Sequence, residues 1–188
     1  MTRILPPNDE DLDDAARATL SRRPSVAVYR AAAHAPGLLG PLMDMACAFF
    51  EQLSLTDRLR EMVILRVAMH HASRYEVHHH RGLAARAGVK VSEIEGLLGP
   101  APFTTPDPIE TAAIRLVDDL IAAPAESSDA IDVIAAQLGP RGATEVAMLI
   151  GFYRMVATFV QAIALEPDAR TSVQLRDEAR QAAAGPAP

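Results

Sequence analysis

The chain of 188 residues is long enough for one domain with an appended arm. Hydrophobic residues make up 49% of it and charged residues 22%, which is the balance of a globular protein. A net charge of −6 and a single lysine, Lys90, argue against a nucleic-acid-binding surface, because phosphate binding needs clustered Lys and Arg side chains.

The sequence also argues against export and membrane insertion. One cysteine, Cys47, cannot form a disulfide within the chain. The N-terminus becomes acidic at once and lacks the apolar core of a signal peptide. We find no run of about 18 apolar residues free of charges or helix breakers. We therefore expect a cytoplasmic protein with neither a membrane nor a nucleic-acid partner.

The N-terminal part is predicted to be an arm followed by helices. Pro6 and Pro7 block helix formation, so residues 1–8 should be extended. Helices are predicted over residues 9–22, from a restart at Pro24 and Ser25 to about His34, and over residues 36–53. The last of these carries a broad apolar stripe that predicts burial: Leu38, Leu39, Leu42, Met45, Phe49 and Phe50.

The central part is predicted to be a helical hairpin. Thr56 is a good N-cap for a helix over residues 57–71, which is apolar on most sides and should lie in the middle of a bundle. A break is expected near Ala72. Ser73 and Glu76 have the spacing of a capping box, so the next helix should begin there and end before Gly88.

The remainder is also predicted to be helical. Ser92 should cap a short helix over residues 93–98, and a linker with four prolines follows at residues 99–108. Further helices are predicted over residues 109–122, from Ser128 or Asp129 to Leu138, and over residues 142–165. We therefore predict an all-α bundle with a single domain over residues 9–165, and a C-terminal helix with a disordered tail over residues 166–188.

Glu61 is the first candidate for chemistry. It lies among Leu59, Met62, Val63, Ile64 and Leu65, so its carboxylate should be at least partly buried. A buried carboxylate without a partner has a raised pKa and can serve as a general acid or base. The alternative is a salt bridge to Arg58, Arg60 or Arg66, or a solvated edge.

Glu76 and His80 are the second candidates. Their i, i+4 spacing lets a carboxylate touch and orient an imidazole on one helix face, which also carries Ser73. Alternatively, Ser73 and Glu76 only cap the helix. His78 and His79 are expected at the surface.

The predicted hairpin relates these groups. Glu61 would lie about 15 Å before the bend and His80 about 12 Å after it, at 1.5 Å per residue. The two side chains can therefore be level with each other across the helix pair.

A metal site has weaker support. His70, His71, Glu76, His78, His79 and His80 offer enough ligands, yet the sequence has no HExxH motif and no compact His/Cys/Asp set. We expect no native metal.

Residues 60–97, REMVILRVAMHHASRYEVHHHRGLAARAGVKVSEIEGL, resemble the carboxymuconolactone decarboxylase family, which also contains the AhpD-type alkylhydroperoxidases. The resemblance lies in the leading Glu61, the Tyr75-Glu76 dipeptide, His80 four residues after that Glu, and the segment from Ala87 to Ile94. It implies an AhpD-like helical bundle that forms a homo-oligomer, as a trimer, hexamer or dimer.

The peroxidase branch of the family has two redox cysteines where this chain has Ser73 and Glu76. Attack on a peroxide needs a thiolate, which Ser and Glu cannot supply. The resemblance is therefore to the decarboxylase-like branch, and implies a carboxy-lyase-like enzyme rather than a thiol peroxidase.

That branch implies a cofactor-free lyase or isomerase acting on a small carboxylated, lactone-type substrate. His80 and Glu61 would transfer protons, Glu76 would orient His80 or act as a second base, and Tyr75 could donate a hydrogen bond. Ser73 and Arg66 are the candidate substrate-binding residues, although Arg60, Arg74 and Arg81 are also near. Two alternatives stay open: a peroxidase-related protein without redox cysteines in a non-catalytic or binding role, and a metal-dependent enzyme that uses the histidine cluster.

Overall fold

The computed structural model describes residues 1–22, 26–122 and 128–184. Within these ranges the chain forms helices joined by turns and no β-strand, so the predicted all-α class is confirmed. The elements are a 3₁₀ turn (Asp9–Asp11) and the helices α1 (Asp14–Leu20), α2 (Ala27–Ala32), α3 (Pro36–Glu51), α4 (Asp57–His70), α5 (Arg74–Arg86), α6 (Val91–Leu97), α7 (Pro108–Ala122), α8 (Ala130–Ala162) and α9 (Ser172–Ala184).

Helix α4 runs through the middle of the bundle, as its pattern predicts. Every residue from Leu59 to Ala68 is buried, because α4 packs against α5, α7 and α8 on different sides. Thr56 caps the helix by accepting a hydrogen bond from the backbone N–H of Leu59 at 3.1 Å. The central helix therefore fixes the side chains that it carries in a rigid, dry environment.

The turn between α4 and α5 folds the two helices into a hairpin. Ala72 adopts a left-handed conformation with φ of 47°, and the N–H of Ser73 bonds to the carbonyl of Ala68 at 2.9 Å. This is a Schellman-type end, usually made with glycine. The Ser73 hydroxyl then accepts the N–H of Glu76 at 3.4 Å and caps α5. The predicted break near Ala72 is confirmed.

Helices α7 and α8 also pack against α4. Val146, Leu149 and Ile150 of α8 are fully or almost fully buried in this core. Gly139, with φ of 70°, kinks α8 where the sequence predicts a break. By length and composition, α8 is the one helix of the described ranges that could cross a membrane, and a core helix of a globular protein has the same character.

Several local expectations are wrong. The helix predicted over residues 9–22 is a 3₁₀ turn followed by α1, because Asp13 is extended and its carboxylate accepts the N–H of Ala16 at 2.6 Å. Lys90, rather than Ser92, precedes α6, and the Glu93 carboxylate accepts the Lys90 N–H.

The buried stripe predicted for α3 is narrower than expected. Leu38 is 68% exposed and Met45 41% exposed, since α3 packs on α1 and α2 at the edge of the bundle. Helix α9 reaches Ala184, so the first three residues of the predicted disordered tail are helical. The rest of that tail and the restart at Pro24 and Ser25 lie outside the described residues, and the division into arm, domain and C-terminal segment stays a prediction.

Candidate active site

The centre of the site is a hydrogen bond between the two arms of the hairpin. Nδ1 of His80 on α5 lies 2.8 Å from Oε2 of Glu61 on α4. The turn at Ala72 makes the helices antiparallel, so residues at similar distances from it become neighbours. The expectation that Glu61 and His80 lie level with each other is confirmed.

Glu61 is fully buried and doubly paired. Its Oε1 accepts Nε and Nη2 of Arg60, both at 3.0 Å, and Arg60 also donates to Asp57 at 2.7 Å. The expected burial of Glu61 is therefore confirmed, and the alternative of a salt bridge to Arg60 holds in place of an unpaired carboxylate, because a buried carboxylate needs such partners. An ionised Glu61 only accepts hydrogen bonds, so Nδ1 of His80 is the donor and Nε2 faces the opposite way.

Glu76 lies on that opposite side of the His80 ring. Its Oε2 is 3.4 Å from Nε2 of His80, and the residue is only 3% exposed. Burial raises the pKa of Glu76 to about 7, with the charge of His80 opposing the rise and that of Glu61 adding to it. The Glu76 carboxyl group can therefore exchange a proton with a bound molecule near neutral pH.

Glu76 and His80 open onto a cavity of about 500 Å³. Its wall combines apolar side chains with polar and ionisable ones. Glu61 is not part of the wall and lies behind the imidazole. Of the two carboxylates beside His80, Glu76 is therefore the one that faces the cavity, whereas the predicted proton-transfer residue Glu61 does not. The polar and ionisable lining side chains include Tyr29, Cys47, Glu51, Tyr75, Glu76, His79, His80, Tyr153, Ser172 and Arg176.

Two aromatic rings hold the imidazole of His80. Tyr153 of α8 meets it edge-on, with ring centroids 5.1 Å apart, and Phe50 of α3 stacks nearly parallel at 6.1 Å. Burial raises the pKa of Tyr153 well above its ordinary value, with Glu76 and Glu61 adding to the effect. Tyr153 therefore stays a neutral phenol whose O–H can donate to a ligand. In the sequence, Tyr153 is one position in the apolar stripe of α8, so no local signal marks it as a site residue.

Tyr75 lines the cavity but its hydroxyl is engaged elsewhere. It donates to Oδ2 of Asp168 and accepts the N–H of Val28, both at 3.0 Å. Burial, followed by the charge of Asp168, raises the Tyr75 pKa above its ordinary value. The predicted donation to a substrate is thus replaced by a structural bond that ties α5 to α2.

His79 is buried, with 3% exposure, so its predicted surface position is wrong. Its Nε2 lies 3.0 Å from Oδ2 of Asp168, and its Nδ1 lies 3.0 Å from the hydroxyl of Ser172 at the start of α9. Asp168 also accepts the backbone N–H of Ala27. Asp168 therefore joins α2 and α5 just before α9 begins, while the bond to Ser172 ties α9 itself to α5.

Neither predicted substrate-binding residue lines the cavity. Ser73 is 2% exposed and serves as the N-cap of α5, which was the simpler of its two interpretations. Arg66 is also 2% exposed and binds both oxygens of Asp118, at 2.6 and 2.9 Å. It further donates to the carbonyls of Leu97, Gly99 and Ala101, and so holds the proline-rich segment against the core.

The arginine that does reach the cavity beside His80 is Arg176 of α9. Its guanidinium carbon lies 4.3 Å from the centre of the Phe50 ring. Of the arginines considered from sequence, Arg74 is exposed and Arg81 pairs with Glu95 at the surface. No local signal marks Arg176, because its position depends on how α9 folds back onto α5.

The clustered histidines point in different directions. His70 contacts Asp118 at 2.7 Å, while His79 and His80 have the separate partners described above. Within the described ranges, no group of three or more His, Cys, Asp or Glu side chains has the arrangement of a metal site.

The fold and the site together define a class of protein, an all-α bundle with a Glu–His–Glu site in its central hairpin. Residues 36–119 match the model of the carboxymuconolactone decarboxylase family, so the predicted resemblance is confirmed. The match contains Glu61, Glu76 and His80 and excludes α8 and α9.

Solved structures extend the likeness of the fold to most of the chain. An uncharacterized peroxidase-related protein from Silicibacter sp. TM1040 superposes with a TM-score of 0.75 at 19% identity, covering 93% of this chain and 96% of that one. An uncharacterized peroxidase-related protein from Ralstonia eutropha JMP134, described as an alkylhydroperoxidase AhpD core, gives 0.74 at 15% identity, with coverage of 89% and 93%. The predicted AhpD-like bundle is confirmed. No curated protein matches the chain significantly.

Proposed function

We propose that this protein is a cofactor-free lyase or isomerase that transfers protons on a small carboxylated substrate of the lactone type. One observation carries the proposal: His80 is held by a buried carboxylate on one side and faces a second carboxylate, with a pKa of about 7, on the cavity side. This is an arrangement for moving a proton near neutral pH.

The decarboxylation can be written with these groups alone. In a lactone carrying a β,γ-unsaturated carboxylate, the bond to the carboxylate breaks and its electron pair delocalises into the unsaturated lactone as a dienolate. CO₂ leaves, and the proton shared by Glu76 and His80 is delivered to carbon. Solvent then returns the proton to the pair. An isomerisation would use the same pair to remove a proton and return it at another carbon.

The other residues have supporting roles in this scheme. Glu61, paired with Arg60, keeps the imidazole in one orientation and stabilises it when it is protonated. Tyr153 is placed to donate to the enolate oxygen as negative charge develops there. The apolar part of the cavity wall favours the transition state over the starting carboxylate, because negative charge is more dispersed in the transition state.

The descriptions of the structural relatives suggest peroxidase chemistry. This chain lacks the pair of redox cysteines that such chemistry needs. Ser73 is a helix cap and Glu76 is a carboxylate, so neither can attack a peroxide or form a disulfide. Peroxide consumption that persists in a Cys47→Ser variant would contradict this assignment. A binding role without turnover is the alternative that the activity test addresses.

The test of the proposal is turnover of γ-carboxymuconolactone, followed by CO₂ release and by deuterium incorporation in D₂O. We expect His80→Gln to lower kcat by about 10²–10⁴-fold, the usual contribution of a general acid or base. His78→Gln, the same change two residues earlier at a position outside the cavity wall, is the matched control and should retain activity. Equal rates in both variants, or no turnover of any unsaturated lactone carboxylate, would refute the proposal.

We also propose that the protein is a homo-oligomer in the cytoplasm. Met148 and Met155 lie seven residues apart on one face of α8 and are 50% and 49% exposed, which favours a contact with a second copy. Sedimentation velocity measures the assembly directly, and a monomer at micromolar concentration would contradict it.

A further inference from the structure

We propose that Ser172, His79 and Asp168 form a second catalytic site, a nucleophilic relay that hydrolyses small carboxylic esters through an acyl-serine. Two hydrogen bonds in series carry the inference. The hydroxyl of Ser172 lies 3.0 Å from Nδ1 of His79, and Nε2 of the same ring lies 3.0 Å from Oδ2 of Asp168. These residues take no part in the proton transfer assigned to Glu76 and His80, so the inference goes beyond the proposed function.

The partners of Asp168 decide which nitrogen of His79 carries the proton. Burial alone would raise the pKa of the Asp168 carboxyl, but three hydrogen bonds lower it below its ordinary value. The donors are His79, the backbone N–H of Ala27 and the hydroxyl of Tyr75. An ionised carboxylate only accepts hydrogen bonds, so Nε2 of His79 is the donor. In the neutral imidazole, Nδ1 is then the acceptor for the hydroxyl proton of Ser172, which is the state that a serine nucleophile needs.

The imidazole of His79 is held in place at the cavity. It is 3% exposed and packs between two rings, with centroids 4.6 Å from Tyr75 and 5.0 Å from His78, which it meets edge-on. Ser172 and His79 both line the cavity of about 500 Å³. An ester in the cavity can therefore reach the hydroxyl while the base keeps one orientation and is largely shielded from water.

The helix α9 does not depend on the Ser172 hydroxyl for its cap or for all of its contact with α5. Thr171 is the cap: its Oγ1 accepts the N–H of Gln174 at 3.4 Å, and the Gln174 side chain accepts the N–H of Thr171 at 2.8 Å. Val173 packs so closely on α5 that a Cβ at Gly82 would lie 3.0 Å from its Cγ2. The bond between Ser172 and His79 is therefore available for chemistry as well as for attachment.

The start of α9 supplies electrostatic stabilisation. Ser172 is the first residue of this 13-residue helix. The first N–H groups of a helix have no partner within it, and the helix dipole favours negative charge at this end. Negative charge develops on the carbonyl oxygen of an ester when a nucleophile attacks it. The first turn of α9 is therefore placed to stabilise that oxygen beside Ser172.

The hydrolysis balances with water as its co-reactant. Oγ of Ser172 attacks the acyl carbon as its proton passes to Nδ1 of His79. The bond from the acyl carbon to the alcohol oxygen breaks, and the departing alcohol takes the proton from Nδ1. Water then gives a proton to Nδ1 and attacks the acyl-serine; the bond to Oγ breaks, Oγ takes the proton, and the carboxylic acid leaves. Asp168 stays ionised and stabilises the protonated ring.

Covalent labelling of the full-length protein tests the serine directly. The probe is diisopropyl fluorophosphate, from which an activated serine displaces fluoride, and peptide mass spectrometry locates the phosphoryl group. We expect labelling at Ser172, and His79→Gln should slow it about 10²–10⁴-fold, the usual contribution of a general base. Hydrolysis of p-nitrophenyl acetate should be lost in Ser172→Ala. Ser92→Ala, the same change at an exposed serine of α6, is the matched control and should behave as the wild type does.

A second variant keeps a hydroxyl-sized nucleophile at the same place. Ser172→Cys in a Cys47→Ser background should react with iodoacetamide faster than Cys47 does in the wild type, and adding His79→Gln should remove the difference. A wild-type protein without label on Ser172, or equal labelling rates in the wild type and His79→Gln, would overturn the relay. Labelling requires no turnover by Glu76 and His80, so its result is independent of the proposed function.

Discussion

The carboxylate of Glu76 lies 3.4 Å from Nε2 of His80 on the cavity side of the imidazole ring. The carboxylate of Glu61 contacts Nδ1 on the other side of the ring and does not line the cavity. One imidazole therefore separates two acids with different tasks. Glu61 contacts the ring on one side and Arg60 on the other. Glu76 meets the cavity and changes its protonation near neutral pH.

The raised pKa of Glu76 makes folding stability depend on pH. Its folded pKa is about 7, against an ordinary 4.5, so its contribution is fully present below pH 4.5 and is lost as pH rises through 7. The free energy of unfolding should therefore fall by about 3 kcal/mol by pH 8. Urea denaturation of wild type and Glu76→Gln at pH 5 and pH 8 measures it, and the variant should be less sensitive to this change. Glu95→Gln, at an exposed carboxylate, should behave as the wild type. A wild-type curve identical to that of Glu76→Gln would contradict the buried state of Glu76.

Glu61→Gln removes the charge that balances Arg60 inside the protein. Arg60 is 6% exposed and would keep only the partly solvated Asp57 as a partner. Breaking a buried pair from one side costs about 3–5 kcal/mol, and we expect a loss in the lower part of this range because Asp57 remains. Thermal denaturation checks this. The control is Glu145→Gln in α8. The Glu145 carboxylate accepts a hydrogen bond from Ser54 nearer the surface, so its loss should cost less stability.

His79→Ala tests the attachment of α9. The substitution breaks the bonds to Asp168 and Ser172, so α9 should open more often while α4 stays protected. Hydrogen exchange followed by mass spectrometry should show faster exchange over residues 172–184. His78→Ala, a neighbour without these bonds, is the control. Unaltered exchange in α9 would mean that Asp168 and Tyr75 suffice to hold it.

Ala72→Gly tests the strain at the hairpin turn. Ala72 has φ of 47°, a conformation that costs a residue with a Cβ about 1–2 kcal/mol. Glycine removes this penalty but loses more entropy on folding, so a net stabilisation of about 0.5–1 kcal/mol is expected. Equilibrium denaturation measures it. Ala147→Gly, at an exposed position inside α8, should destabilise by about 1 kcal/mol. Destabilisation by Ala72→Gly would argue against the left-handed turn.

The hairpin and its pair of residues were predictable because their signals are local. The cap at Thr56, the all-round apolar pattern of α4 and the Ser73-to-Glu76 spacing place both helices. The similar distances of Glu61 and His80 from the turn then bring these two residues together. These features need only the geometry of one helix pair.

The rest of the site depends on contacts between distant parts of the chain. His79 bonds to residues 89 and 93 positions later, so its burial has no trace in its own surroundings. Arg176 lies on a helix whose sequence has no pattern that marks a functional residue. Tyr153 occupies a position in the apolar stripe of α8 and so resembles a core residue. The assignment of Arg66 was wrong for a related reason: a buried arginine suggests function, yet Asp118 and three carbonyls account for it.

The segment that matches the family ends at residue 119, while Arg176 belongs to a helix more than fifty positions further along. The residues proposed to transfer protons and part of the cavity wall therefore lie in separate stretches of the chain. We expect substitutions in the C-terminal helix to change the cavity wall while the central hairpin keeps its structure, because α9 packs on α5 rather than on the central helix α4.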